Sequence, residues 1–137
     1  MARLIIDSSA LIALERSGRS VAATLEAALA DESAAIASIT VSELLAGVYR
    51  ADSQERRLRR SAVIQAVVER LLVLPFDLRA ARVHAEIWAQ LTSAGQRIGS
   101  HDMIIAATAL AYGYEVVTYN LREFQRVPGL TVRQPSW

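Results

Sequence analysis

Short apolar runs rich in β-branched residues alternate with longer helix-patterned stretches along this chain, and that alternation leaves few folds open. Arg3 to Ile6 reads as a buried strand, Leu11 to Glu15 as the start of a helix, and Val21 to Ala30 as an Ala-rich helix after the Gly18 break. Ala35 to Ala37 forms the next strand. A helix then begins at Thr40 and runs through Glu43 and Leu44 to about Ala51, followed by another from about Gln54 to Arg70. Leu71 to Leu74 is an apolar strand closed by Pro75, and Asp77 caps a helix that reaches Ser93 before Gly95. Asp102 to Tyr112 is apolar nearly all round, which predicts a buried helix, and Gly113 hands over to a strand at Glu115 to Thr118. Leu130 to Val132 adds a last short strand. Strands separated by helices imply an α/β fold of three layers, a mostly parallel sheet of about five strands with helices on both faces. In such sheets ligands bind beyond the carboxyl ends of the strands, where this chain places acids and hydroxyls.

The bulk properties narrow the chemistry. With 137 residues, 53% hydrophobic and 21% charged, the chain reads as a single domain over residues 1–137, with no repeat or linker to divide it. No uncharged stretch approaches the roughly 20 residues of a membrane span, so a soluble, unprocessed, cytoplasmic protein with no membrane partner is expected. There is no cysteine, which removes disulfides, thiolate zinc sites and cysteine nucleophiles, and with two histidines any metal site must be lined mainly by oxygen. The 15 basic residues nearly cancel the 14 acidic ones, so net charge gives no general argument for a nucleic-acid partner. All the basic residues are arginine. The lack of lysine excludes Walker-type phosphate loops, Schiff-base chemistry and a phospho-receiver module, which needs a lysine beside its phosphoacceptor.

Three acids lie where strands end and helices begin. Asp7 follows Leu-Ile-Ile and opens DSSALIAL, a position that also suits a helix N-cap. Glu43 closes Thr40-Val-Ser-Glu43, which has the form of a capping box. Asp102 falls in the first turn of the apolar helix, where the helix dipole favours negative charge. Each has a local explanation, but jointly they make an anion-rich pocket. Carboxylates gathered out of water repel one another, and a hard divalent cation such as Mg²⁺, or Mn²⁺ in its place, relieves that repulsion through oxygen ligands.

Taken in order, DSSALIAL, ITVSELLAGVYRA, LPFD, HDMIIAATALAYG and VVTYNLREFQRVPGL resemble the PIN-domain pattern over essentially the whole chain, and most resemble VapC-type toxins. The resemblance implies a metal-dependent endoribonuclease with an acidic quartet, an RNA substrate, and 5′-phosphate and 3′-hydroxyl products. It implies a dimeric toxin silenced by a VapB-like antitoxin whose C-terminal segment covers the acids. Asp7, Glu43 and Asp102 fall on the first three acidic positions and Asn120 on the fourth, where Asp is common. Glu123, one helical turn further, is either a solvated surface acid or a source of the missing charge through a water. Thr118 is placed to hydrogen-bond Asp7 or face a metal water, and Ser9 to orient Asp102 or a metal water. The neutral Asn120 leaves a second reading, a PIN-like module that binds RNA or protein without catalysis.

The remaining polar features are less specific. Asp52 with Arg56, and Glu55 with Arg59, have the i,i+4 spacing of a solvated helix face that also contains Arg57 and Arg60. The functional alternative for Arg56 and Arg59 is contact with RNA phosphates or an acidic antitoxin segment. Arg97, ahead of Gly99 and the helix bearing Asp102, is a better-placed candidate for phosphate. His84 shares a helical face with Ala80, Ile87 and Leu91, as a core or interface residue would, and His101 adjoins Asp102 with at most a minor substrate role. Tyr49, Tyr112, Tyr114 and Tyr119 suit structural roles better than base stacking. The high apolar fraction favours a homodimer surface or a groove for a partner helix.

Overall fold

The computed structural model describes residues 2–137. Its frame is a five-stranded, all-parallel sheet of order β3-β2-β1-β4-β5, built from β1 (Arg3–Ile6), β2 (Ser33–Ala37), β3 (Leu72–Leu74), β4 (Glu115–Val117) and β5 (Val132–Arg133). The helices are α1 (Ser8–Arg16), α2 (Val21–Ala28), α3 (Ser38–Tyr49), α4 (Gln54–Arg70), α5 (Leu78–Ser93), α6 (Ser100–Tyr112) and α7 (Leu121–Phe124).

The alternation of side chains along each strand creates the three layers. Ile5, Ala35 and Val116, aligned across β2-β1-β4, face a core that contains Ile87 and Leu91 of α5 and Ile105, Ala106 and Ala109 of α6. Their neighbours Leu4, Ile6, Ile36 and Val117 face the opposite core with Leu11 and Leu14 of α1, Leu25 of α2, and Val63 and Val67 of α4. Alanines at 106, 107 and 109 are fully buried, and their small side chains let α6 lie close against the sheet and α5. The helix stops at Gly113, whose φ of 74° is the left-handed conformation that glycine adopts without a Cβ penalty.

Most expected elements are present, with shifted ends. α1 begins at Ser8, three residues before the expected start, and α2 ends at Ala28 instead of Ala30. β2 starts at Ser33, β3 at Leu72, β4 stops at Val117, and β5 lies at Val132–Arg133 instead of Leu130 to Val132. α7 was not anticipated; four residues give a periodic pattern no room to show itself.

The correction that matters is at α3. The helix starts at Ser38, directly out of β2, with Ala37 at the N-cap and no side-chain cap. Thr40 is therefore already helical, fully buried, and its hydroxyl has no hydrogen-bond partner, so Thr40 and Glu43 form no capping box. By contrast Ser53 and Asp77 do cap α4 and α5, accepting from the N–H groups of Arg56 and Ala80. Ser53→Ala is expected to cost about 1 kcal/mol in urea denaturation. Thr40→Val is expected to change stability by about 1 kcal/mol or less, because it deletes a hydroxyl that pairs with nothing; a loss of several kcal/mol would reinstate a bonding role for Thr40.

Candidate active site

The order of the strands reverses at β1: the chain steps outward through β2 and β3, then returns to pair β4 on the other side. A crevice opens at the carboxyl ends of β1 and β4, and the first residues beyond these strands line it. Asp7 is the last rung of the β1–β4 pairing, its N–H donating to the Val117 carbonyl at 2.9 Å. It occupies the N-cap position of α1, yet its carboxylate does not cap that helix.

Instead, one oxygen is held across the switch point. Asp7 Oδ2 accepts from Ser9 Oγ and from Thr118 Oγ1, both at 2.8 Å, and those two hydroxyls lie 3.1 Å apart. The hydroxyls are themselves oriented, since Ser9 Oγ accepts from the Tyr119 N–H at 3.1 Å and Thr118 Oγ1 from the Asn120 N–H at 2.9 Å. Asp7 is only 3% exposed, and its second oxygen, Oδ1, is buried without a partner. Glu43 repeats the pattern on α3: His101 Nδ1 stands 3.5 Å from Oε2, while Oε1 is buried and unpartnered. Freed from capping, Glu43 points to the same crevice, where the charge of Asp7 raises its pKa in addition to the larger effect of burial.

Asp102 enters from the first turn of α6. Asn120 Nδ2 donates to Asp102 Oδ2 at 3.1 Å and to Glu123 Oε2 at 3.0 Å, so one amide bridges two carboxyl groups. Burial pushes the Asp102 carboxyl up to about 7, helped by its hydrogen bonding with Glu123 and by the charges of Asp7, Glu123 and Glu43. Glu123 moves the other way, held down first by hydrogen bonding to Asp102 and then by Asn120. Of this pair, Asp102 is the group that holds a proton more readily.

The crevice therefore brings Asp7, Glu43, Asp102, Asn120 and Glu123 into one electrostatic neighbourhood. Among the described residues no three or more Asp, Glu or His side chains are gathered closely enough to cage a cation. The donor set nevertheless fits a hard divalent ion, being all oxygen, with two buried carboxylate oxygens that no protein donor satisfies.

Comparison with known proteins identifies the family of this fold. The PIN domain family pattern matches residues 4–130. The chain belongs to the PIN-domain family. Ribonuclease VapC1 of Rickettsia felis is 38% identical over 129 residues, which is 94% of this chain and 93% of that protein. Among solved structures, the DNA-bound VapBC of Salmonella typhimurium aligns with a TM-score of 0.84 at 30% identity, covering 98% of both chains. A member of the VapBC family of toxin-antitoxin systems, VapBC-5 of Mycobacterium tuberculosis, aligns at 0.77 with 29% identity over 98% of both chains.

Several residues of this PIN domain sit differently from expectation. Ser9 orients Asp7, not Asp102. Glu123 is not a detached surface acid but shares the Asn120 amide with Asp102. Arg56 pairs with Asp52 at 2.9 Å as its spacing predicts, whereas Arg59 bypasses Glu55 and reaches Glu15 of α1 at 3.1 Å. Arg97 is exposed and outside the acidic crevice, on the loop before α6. His84 lies at the rim of the α5 core face, edge-on to Phe76 and Trp88. His101, given little weight from sequence, is the polar neighbour of Glu43; its position two residues into α6 was the available signal.

Asp102 gives this PIN domain a pH signature. Its carboxyl titrates near 3.8 when unfolded and near 7 when folded, so its stabilising protonation is fully present below about pH 3.8 and is lost as pH rises through about 7. In EDTA, the melting temperature of Asp102→Asn minus that of wild type should grow between about pH 4 and about pH 8. A difference that stays constant over this range would mean that Asp102 is not a buried proton carrier.

Proposed function

We propose that this PIN domain is an endoribonuclease that hydrolyses RNA phosphodiester bonds with Mg²⁺, or Mn²⁺ in its place, and acts as the toxin of a VapBC-like pair. The observation that carries the reading is the pair of buried, unpartnered oxygens, Asp7 Oδ1 and Glu43 Oε1, beside the perturbed Asp102 carboxyl. The name of the Rickettsia felis relative supplies the substrate class, and the VapBC complexes supply the kind of partner.

Asp7, Glu43 and Asp102 would hold the ion. When bound, it supplies Lewis acidity to the scissile phosphodiester and to the attacking water. The protein's own contribution is positioning. Ser9 and Thr118 fix Asp7 Oδ2 and leave Oδ1 available, and the Asn120 amide keeps the Asp102 and Glu123 carboxyls together against their mutual repulsion. Glu123 then supplies the charge that Asn120, as a neutral fourth residue, lacks. In-line attack of water at phosphorus forms the new P–O bond as the P–O3′ bond breaks; the 3′ oxygen leaves and takes up a proton, which gives 5′-phosphate and 3′-hydroxyl ends.

The partners follow from surface chemistry. Leu72 and Val73 on edge strand β3, with Phe76 and Leu78 beyond it, are exposed apolar side chains suited to a second copy of the chain. Arg56 and Arg59 would contact a VapB-like antitoxin by exchanging their internal carboxylates for the partner's. No helix among the described residues is long and apolar enough to cross a membrane, and the likeness to ribonuclease VapC1 is the ground on which we propose a cytoplasmic protein.

The test is cleavage of single-stranded RNA across a Mg²⁺ titration. Asp7→Asn should lower the rate at least about 100-fold, and Ser9→Ala about 10-fold to 100-fold through weakened metal affinity, readable separately by Mn²⁺ calorimetry. RNA binding with no Mg²⁺-stimulated cleavage by the wild type would establish the binding-only module and end the nuclease reading.

A further inference from the structure

Beside the acidic crevice, on the far side of the loop that leads into α6, lies a cavity of about 660 Å³. The first turn of α6 is the wall between them: Asp102 faces the acids, and the next residue, Met103, lines the cavity. The C-terminal end of α5 and the residues just after α7 complete the enclosure, bringing Trp88, Gln96, Arg97 and Arg126 to its surface. Its volume is of the order required by a small-molecule ligand.

Three features give the cavity a chemical preference. Arg97 and Arg126 both line it and neither forms an ion pair among the described residues, whereas Arg56, Arg59, Arg70 and Arg133 do. No acidic side chain is among its lining residues. One Arg126 guanidinium N–H donates to the Arg97 carbonyl, which ties the two cationic residues to one another across the loop and leaves the rest of both forks for a ligand. Trp88, 59% exposed, contributes an aromatic wall and is held edge-on against His84 at 5.8 Å, itself edge-on to Phe76 at 5.5 Å. Paired guanidinium groups match phosphate oxygens, and an indole beside a thioether offers a sequence-tolerant surface for a base.

We propose that this cavity seats a nucleotide of the RNA strand next to the scissile phosphate, with its base against Trp88 and Met103 and its phosphate on Arg97 and Arg126. The inference rests on the ribonuclease reading above and extends it with a substrate subsite. Because the subsite and the acidic centre share the first turn of α6, a strand seated in one is led directly into the other. Arg126 also bears on Glu123 electrostatically, which couples the two walls.

The experiment measures binding of a short mixed-sequence single-stranded RNA to the full chain in EDTA, by fluorescence anisotropy over a salt series, alongside Mg²⁺-dependent cleavage. Trp88→Ala should weaken binding about 5-fold or more, and Trp88→Phe should retain most of it. Arg97→Ala and Arg126→Ala should each weaken binding and reduce the slope of log affinity against log salt by about 0.7. These side chains are exposed or half-buried, and melting curves verify that each variant is folded. Wild-type affinity and slope in all three alanine variants, with cleavage intact in the wild type, would overturn the subsite and leave the nuclease reading standing. A wild type that neither binds nor cuts RNA would overturn both. Loss of a dimer in the Trp88 and Arg97 variants, with unchanged RNA affinity per chain, would assign the cavity to a protein interface and reject the proposal.

Discussion

The pairing of β1 between β2 and β4 is the constraint from which the rest of the structure follows. Each of its residues is committed: Ile5 to one core, Leu4 and Ile6 to the other, and the Asp7 N–H to the carbonyl of Val117. A slip of one residue would turn the apolar side chains to the wrong layers, so the register is strongly specified. The same register places Asp7 where the strand order reverses, and the carboxylate faces the crevice because strand pairing holds the backbone beneath it.

Burying acids in that crevice opposes folding, and the structure limits the opposition in two ways. Neutral donors are spent on single oxygens: two hydroxyls on Asp7 Oδ2, and one amide shared by Asp102 and Glu123. Where donors run out, the charge is reduced, since Asp102 retains its proton to about pH 7. Neither device satisfies Asp7 Oδ1 or Glu43 Oε1. Two orphaned carboxylate oxygens at one sheet edge are unfavourable for stability alone and become intelligible if the site has a ligand to receive. The apolar cores on both faces of the sheet offset this cost.

The sequence made the layers legible because buried strands and long helices leave a pattern spread over many residues. It also located Asp7 and Asp102 beside element ends, whereas Glu43, expected near a helix start, lies in the second turn of α3. What it hid depended on distance or brevity. The contact of Thr118 with Asp7 is one of the two roles expected of Thr118, but the bond from the Tyr119 N–H to Ser9 joins residues far apart in the chain that only the pairing of β4 with β1 makes neighbours. Arg59 chose Glu15 over Glu55 because α1 packs beside α4, a tertiary fact that i,i+4 spacing does not encode. Thr40 was a misleading signal: a hydroxyl three residues before a glutamate has the form of a capping box, but the chain turns from β2 into α3 at Ser38 without a linker. The misreading concealed the best local sign that Glu43 is free for another purpose.

Asn120 is the position at which this site departs from the acidic pattern it resembles, and its contacts give the departure a physical logic. An aspartate there would add a carboxylate between Asp102 and Glu123, two groups already competing for one proton. The amide instead donates to both and lets Glu123 approach from α7, one turn along. Under the proposed reading, the fourth charge has moved from a residue at the strand end to one on a short helix. That arrangement puts an additional requirement on α7, whose Phe124 is fully buried and anchors the helix in the α5–α6 core. The position of Glu123 is therefore set by apolar packing one residue away, as the position of Asp7 is set by Ile6: in both cases a core side chain fixes the backbone and the neighbouring acid is presented to the crevice.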